Sequence, residues 1–492
     1  MIYPAIYLVC LLLFWPGQST AAENPVPSSG TTLTLSVKDA VLMSLEQNRA
    51  LKVQRFHPMI SRTAEEQAAA VFDLNLSADL KAGQSRAQVS ADGSFINNNT
   101  ISQSVGANQV LATGTTIAVN LDAEHTAKPE SDTTRLGLSV TQALLRGRGT
   151  DVNLVAIRQA RLDTALSGYE LHGYTEALVA QVEVACWDYQ LTAKRVEIVE
   201  RSLKLAEEQM AEVRERIAVG RLAEIELAAA EAEAAVRREA LINARSALSK
   251  ARLQLQRLLN SPGENIFGRE LKITDLPALQ VADPDSVESH VTLAGRLRPD
   301  LNQARLQLER GELEVVKTSN GLLPKLDLFV GLGKTGYAAS FGRSTDLSGD
   351  GYDVQAGLTL RFPWENRSAR AAERRAVLSR DQAVESIANF SQLVEVDVRG
   401  ARIEIDRLRE QVAATAVTLR LQTEKLRAET EKFRVGKSTA FMVAQAQRDL
   451  LQAETDSVSA VVESLKAVVE FYRLEGSLLE RRGISIDQPS VN

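Results

Sequence analysis

Proline sets the first limit on this chain, because its ring removes a helix hydrogen bond and clashes with the preceding turn. None occurs between Pro129 and Pro262, or between Pro363 and Pro489. Within these spans apolar residues recur at spacings of three and four, as at Leu241, Ala244, Leu248, Ala251, Leu255 and Leu258. That periodicity predicts helices. The stretch from Trp364 to about Phe433 predicts a rod of roughly 105 Å at 1.5 Å per residue, longer than most single domains. Ala, Leu, Glu, Arg and Gln crowd these spans, and aromatics are only 5% of the chain. This is the composition of long helices and disfavours a compact, aromatic-rich enzyme core.

Between the helices the period changes to two. Tyr352, Val354, Ala356, Leu358, Leu360 and Phe362 alternate with Asp353, Gln355, Gly357, Thr359 and Arg361, which predicts a strand with one uncharged face. The same alternation occurs at Leu74, Leu76, Ala78 and Leu80, at Leu136, Leu138 and Val140, and at Leu326, Leu328, Val330 and Leu332. A further candidate hairpin runs from Ile101 to Ala123, turning near Thr113-Gly114. Strands of about ten residues suit a tilted bilayer crossing with lipid on one face and water on the other. A soluble sheet with one face on a helix carries the same alternation.

The chain is also a tandem duplication. At an offset of 216, Ser202-Leu203-Lys204-Leu205 falls on Thr418-Leu419-Arg420-Leu421, and Glu208 on Glu424. Arg216-Ile217-Ala218-Val219-Gly220-Arg221 falls on Lys432-Phe433-Arg434-Val435-Gly436-Lys437. Asn48-Arg49-Ala50-Leu51 likewise resembles Arg298-Pro299-Asp300-Leu301, each ahead of a helix and a strand. The predicted organisation is a signal peptide (1–22), an N-terminal extension (23–35), a first repeat (36–260), a connector (261–295), a second repeat (296–483) and a tail (484–492). The strands fall at about 72–143 and 325–362. Each half reads helix, strands, long helix, Gly turn, long helix, so each long pair must form an antiparallel hairpin with its tip at Gly220 or Gly436.

Residues 1–22 carry no charge, hold an apolar run from Ile6 to Trp15 and end in Ser19-Thr20-Ala21-Ala22, as a cleavable secretory signal does. With that segment removed only Cys186 remains, so no internal disulfide is available. No later stretch offers the roughly 20 apolar residues of a spanning helix, so a membrane crossing must be a β-barrel. Four strong strands per chain cannot close one, since an open edge is not tolerated in lipid. Three chains would supply twelve strands, or eighteen if the Ile101–Ala123 hairpin joins.

On these residues the chain resembles the TolC-like outer-membrane efflux protein family. The features carrying it are the two tips, the Arg298-Pro299-Asp300-Leu301 stretch, the Leu323-Pro324-Lys325-Leu326 strand entry and Leu144-Leu145-Arg146-Gly147-Arg148-Gly149. The resemblance implies a mainly α fold with membrane β-structure. It pictures a homotrimer with a long α-helical barrel and a twelve-stranded outer-membrane β-barrel set in outer-membrane lipid. It implies passive export without catalysis or cofactor, and docking on a periplasmic adaptor (membrane fusion) protein attached to an inner-membrane transporter. The tip positions matching the docking motif are Val219, Gly220 and Arg221 with Val435, Gly436, Lys437 and Ser438. Expected entrance-lining residues are Glu226, Phe433, Met442 and Gln445. The family's acidic rings, six and nine residues beyond the second tip Gly, are absent, for Met442 and Gln445 stand there.

Other classes fit less well. A net charge of -6 excludes a broadly basic nucleic-acid surface, and 4 His with 2 Cys make a His/Cys metal cluster improbable. Gly331-Leu332-Gly333-Lys334-Thr335-Gly336 lacks the residue order of a phosphate loop, and His57, His125, His172 and His290 are dispersed. The remaining alternative, a secreted periplasmic coiled-coil scaffold or adaptor without a pore, does not account for uncharged alternating strands in both halves.

Overall fold

The computed structural model describes residues 33–88, 95–127, 130–260, 266–274, 286–338 and 351–485. The expected signal peptide lies outside them. A short strand β1 (Leu33–Leu35) leads into α1 (Val37–Gln47), α2 (Arg49–Gln54) and α3 (Phe56–Ala69). Four strands follow, β2 (Asn75–Gln88), β3 (Phe95–Val110), β4 (Thr115–Ala127) and β5 (Glu130–Ala143). After α4 (Thr150–Asn153) comes the first long hairpin, α5 (Val155–Ala218) and α6 (Ile225–Leu259). Strand β6 (Leu271–Ile273) precedes the second half, α7 (Val287–Leu297), α8 (Pro299–Gly321), β7 (Lys325–Ala338) and β8 (Tyr352–Arg361). The second hairpin, α9 (Arg367–Arg434) and α10 (Ala440–Glu475), and a last turn α11 (Leu478–Arg481) complete the chain. The predicted rod is α9, at 68 residues, and α5 is its counterpart at 64.

The corresponding starts of the two halves are helix starts for related reasons. Asn48 caps α2 by accepting from the Leu51 N–H at 3.0 Å, whereas α8 begins on Pro299, whose missing N–H costs nothing in a first turn. Leu51 and Leu301 are both buried. Ahead of α1, Ser36 and Asp39 form a reciprocal capping box.

Strands β2, β3, β4, β5, β7 and β8 form one antiparallel sheet in that order. The count of four strands per chain is therefore corrected to six. The Ile101–Ala123 hairpin is integral, with Val105 opposite Ala78 on one side and Leu121 on the other. Below the sheet the helices are ordered α3, α5, α8, α9 by contact, so α3 and α9 are the outer members of the layer. They are also the helices joined directly to the two edge strands, β2 and β8.

The core lies where the first repeat meets the end of the chain. Leu51, Val179, Val182, Cys186, Leu255, Leu259, Leu478 and Leu479 are packed together and closed to solvent, each large apolar side chain contributing roughly 1.5–3 kcal/mol by burial. β1 pairs in parallel with β6, Leu33 opposite Leu271. The Asn48 amide donates to the Leu258 carbonyl and the Asn260 amide to that of Gln47, both at 2.9 Å. The start and finish of the first repeat are thus tied to each other.

A polar knot sits beside this core. Glu475, fully buried, meets His290 at 2.5 Å and Arg481 at 3.1 Å, and accepts from Ser477. Glu183 makes a bidentate pair with Arg482 at 2.6 and 2.8 Å. Glu176 accepts the Leu478 N–H, at 3.1 Å. Burial pushes the Glu176 carboxyl up to about 7, against the smaller opposing effect of that hydrogen bond.

Candidate docking tips and membrane-facing sheet

Both hairpins end in the same backbone motif. At the first tip the Arg221 N–H donates to the Arg216 carbonyl at 2.8 Å and the Gly220 N–H to that of Ile217 at 2.9 Å. At the second, Lys437 donates to Lys432 at 2.8 Å and Gly436 to Phe433 at 3.1 Å. The offset of 216 is therefore kept bond for bond, and this is the Schellman closure of a helix. It requires a left-handed residue, and Gly220 and Gly436 have φ of 72° and 75°.

The tips differ beyond the turn. Thr439 caps α10 through its side chain, while α6 begins at Glu224 without a side-chain cap. Ser438 donates to Glu429 at 2.9 Å, and Lys432 pairs with the same carboxylate at 2.6 Å. The hydrogen bonds from Lys432 and then Ser438 hold Glu429 below the usual carboxylate range.

Val219, Arg221, Val435 and Lys437 are exposed. Ile225 and Phe441, one turn beyond the glycines, are also exposed apolar side chains. Neither stands out by periodicity; their signal in the sequence is an apolar residue opening a helix where solvent should be. Exposed apolar groups rimmed by charge mark a contact surface.

Of the expected entrance residues, Met442 and Glu226 are at least partly exposed. Gln445 is engaged with Asp449 at 2.9 Å and Arg448 at 3.0 Å. Phe433 does not line an entrance. It is 3% exposed, clustered with Val213, Ala440 and Val443, and covered by the Arg216 guanidinium 4.5 Å from its ring centre. It faces inward because the last turn of α9 packs on the last turns of α5, so its apolar ring fills the gap between the hairpins. Above it the hairpins are joined by Arg448 to Glu233 at 2.9 Å, Arg201 to Glu454 at 3.5 Å and Lys466 to Asp188 at 3.1 Å.

The sheet has two unlike faces. Leu76 and Leu80 of β2, Ile101 and Val105 of β3, Val119 and Leu121 of β4, Leu136 and Leu138 of β5, Leu328, Val330 and Leu332 of β7, and Val354, Leu358 and Leu360 of β8 all lie exposed on one side. The registers align Leu76, Ala107, Val119, Leu138, Leu332 and Val354 in one apolar row across all six strands, while rows further from the helices carry Gln103, His125 and Lys334 on the same face. Among the described residues nothing covers this face. From Tyr352 to Phe362 a strand advances about 33 Å, or ~25 Å of height at a 40° tilt, the thickness of the apolar band on a membrane barrel. Trp364, 91% exposed, follows at the helical end, where an indole suits an interface.

The opposite face carries Ser77, Asp79, Ser104, Asn120, Asp122, Arg135 and Asp353. Ser104 donates to Asp122 at 2.6 Å, and Arg135 reaches Asp353 at 2.7 Å across Gly333. Gly333 must be bare there, for a Cβ would meet the Asp353 carboxylate at 2.2 Å. The Gly331–Gly336 stretch thus lies within β7 and not at the start of a helix. Two of the histidines have carboxylate partners, His125 with Asp132 at 2.6 Å and His290 with Glu475. Among the described residues no His, Cys, Asp and Glu group is arranged to hold a metal ion, and no helix is long and apolar enough to cross a membrane.

This combination of a two-faced sheet and long helical hairpins is the fold of outer-membrane channels. The channel OprN superposes with a TM-score of 0.68 at 19% identity, covering 89% of each chain. CusC superposes at 0.69 and 15% identity over 94% of this chain and 99% of its own, and CmeC of Campylobacter jejuni at 0.69 and 14% over 90% and 86%. A search of curated proteins found no match. The family resemblance drawn from the sequence holds: residues 291–477, most of the second repeat, match the family described as Outer membrane efflux protein.

Proposed function

We propose that the chain is one protomer of a homotrimeric, passive outer-membrane duct of a tripartite efflux or type I secretion system, exported by a cleavable signal within residues 1–22. One observation carries this reading. Both sides of the protomer are open in register, β2 continuing from α3 on one side and β8 into α9 on the other. An apolar face and two unpaired edges cannot coexist in lipid unless copies join edge to edge into a closed barrel. The same rotation brings α3 of one copy beside α9 of the next and closes the helices into a tunnel. The two repeats, 36–260 and 296–483, each contribute one hairpin tip. Val219, Gly220, Arg221, Val435, Gly436, Lys437 and Ser438 present the docking surface to a periplasmic adaptor joined to an inner-membrane transporter. No step of bond-making is involved. With 5 Met and 4 His in the chain, a duct dedicated to copper or silver is disfavoured.

The test is single-channel recording of detergent-extracted protein in planar bilayers, with its oligomeric mass measured on the same sample. A trimer with small, gated conductance is expected. A soluble monomer that never inserts would return the chain to the class of periplasmic scaffolds.

A further inference from the structure

We infer that all six strands of the sheet cross the membrane, so that three copies close an eighteen-stranded barrel rather than a twelve-stranded one. The figure of eighteen rests on the trimeric reading above; the figure of six per copy does not.

Hydrogen bonding gives the first ground. β3 and β4 lie between β2 and β5 and pair along nearly their whole length on both sides. Withdrawing them from the bilayer would expose the facing edges of β2 and β5 to hydrocarbon, where each unmet backbone group costs several kcal/mol. Height gives the second. The β3–β4 turn descends to the level where β5 leaves the sheet for the helices. The Ala143 N–H donates to the Gly114 carbonyl at 3.0 Å, the Gly149 N–H to that of Thr113 at 3.1 Å, and the Asn153 amide to that of Ala112 at 3.0 Å. Gly114 lies so close that a Cβ would meet the Gly147 carbonyl oxygen at 2.2 Å. The hairpin therefore runs the full height of the sheet and is fastened at the helical end.

Polarity gives the third ground. Val105 and Leu121 stand in one cross-strand row with Ala78 and Leu136, and Ala107, Val119 and Leu138 in the next. On the other face Ser104, Asp122 and Arg135 form a polar row. A plug folded into the lumen would be wetted on both faces, and a flap above the membrane would have no use for an exposed apolar row.

The consequence is width. Barrel diameter grows nearly in proportion to strand number, so eighteen strands give an exit about 1.5 times as wide as twelve and roughly twice its cross-section. Size selection then falls to the helical tunnel and its tips.

The test uses the full-length protein in nanodiscs. Cryo-electron microscopy with the oligomeric mass on the same sample should show six wall strands per chain and eighteen in all. Twelve wall strands in a trimer would overturn the inference. Six strands per chain in an oligomer of another size would keep it and sink only the trimeric reading. A second measurement stands apart from assembly. The native Cys186 is buried, its thiol pushed up to about 12, so it stays silent towards thiol reagents. Bimane attached at Val105→Cys or Leu121→Cys should be quenched by brominated acyl chains as strongly as at Leu138→Cys. Ser104→Cys and Asn120→Cys should react with a membrane-impermeant maleimide roughly tenfold faster than Val105→Cys. Equal reaction on both faces without lipid quenching would refute membrane insertion of this hairpin.

Discussion

The tip glycines give a prediction whose cause can be separated from its location. A Cβ built on Gly220 or Gly436 meets nothing within 4 Å, so replacement there costs backbone energy and no packing. A non-glycine residue at φ of 72–75° costs roughly 1–2 kcal/mol, with Asn the most tolerant. That opens a tip about 5 to 30 times more often. Replacing Gly436 by Asn, Ala and Val in turn should therefore rank Asn, Ala, Val in increasing damage, by turn conformation and not by volume. The direct assay is hydrogen exchange at the Lys437 amide, whose bond to the Lys432 carbonyl closes the turn; exchange should accelerate by that factor for Val and least for Asn. If the tips dock an adaptor as proposed, crosslinking to it and export should fall in the same order while trimers still reach the membrane. If Asn is as damaging as Val, bulk on a contact surface is what matters and the left-handed turn is irrelevant. Unchanged export in a Gly220→Val/Gly436→Val double variant would refute the assignment of the tips as the docking surface.

Phe433→Ala removes the ring that joins the hairpin ends, at a cost of about 3–5 kcal/mol, and limited proteolysis should then cut near the tips well before the rest of the chain. Gly476→Ala should destabilise more than Gly436→Ala, because its Cβ would lie 2.9 Å from the Arg298 backbone nitrogen at a φ of 77°; equal melting temperatures would contradict this. Glu176 has a raised folded pKa of about 7, so its stabilisation is present below about pH 4.5 and lost as pH rises through 7, amounting to about 3 kcal/mol per chain. Glu176→Gln should flatten the fall in melting temperature between pH 5 and 8, and an unchanged slope would remove Glu176 as its source. On the proposed channel reading, Gly333→Val should part Arg135 from Asp353 and alter ion selectivity without unfolding the sheet, read as a shifted reversal potential in a salt gradient.

The duplication was legible because a helix hairpin imposes a strict local demand, Gly after the last turn, and both halves meet it at one offset. The strand count was less so. β3 puts Gln103 and Asn99 among its outward positions and interrupts the alternation that marks β8, so its membership is set by pairing with neighbours rather than by its own pattern. Phe433 shows a related limit: periodicity defines an apolar stripe but not what the stripe meets. The buried knot was invisible, since His290 and Glu475 are separated by 185 residues, and Glu183 and Arg482 by 299. Only the fold brings those charges together.

The parallel pairing of β1 with β6, with the crossed Asn48 and Asn260 bonds beside it, also bears on the order of events as the chain folds. Every contact in that closure is available once residue 273 has been delivered, with over 200 residues still to come. The first helical half can lock its own ends early, while β5 waits for β7 to cover its free edge. Long-range pairing of this kind is the slow, aggregation-prone stage of β-sheet formation. The species most exposed to aggregation during folding is then a closed helical half holding an unfinished apolar sheet, over the interval between the delivery of β5 and that of β7.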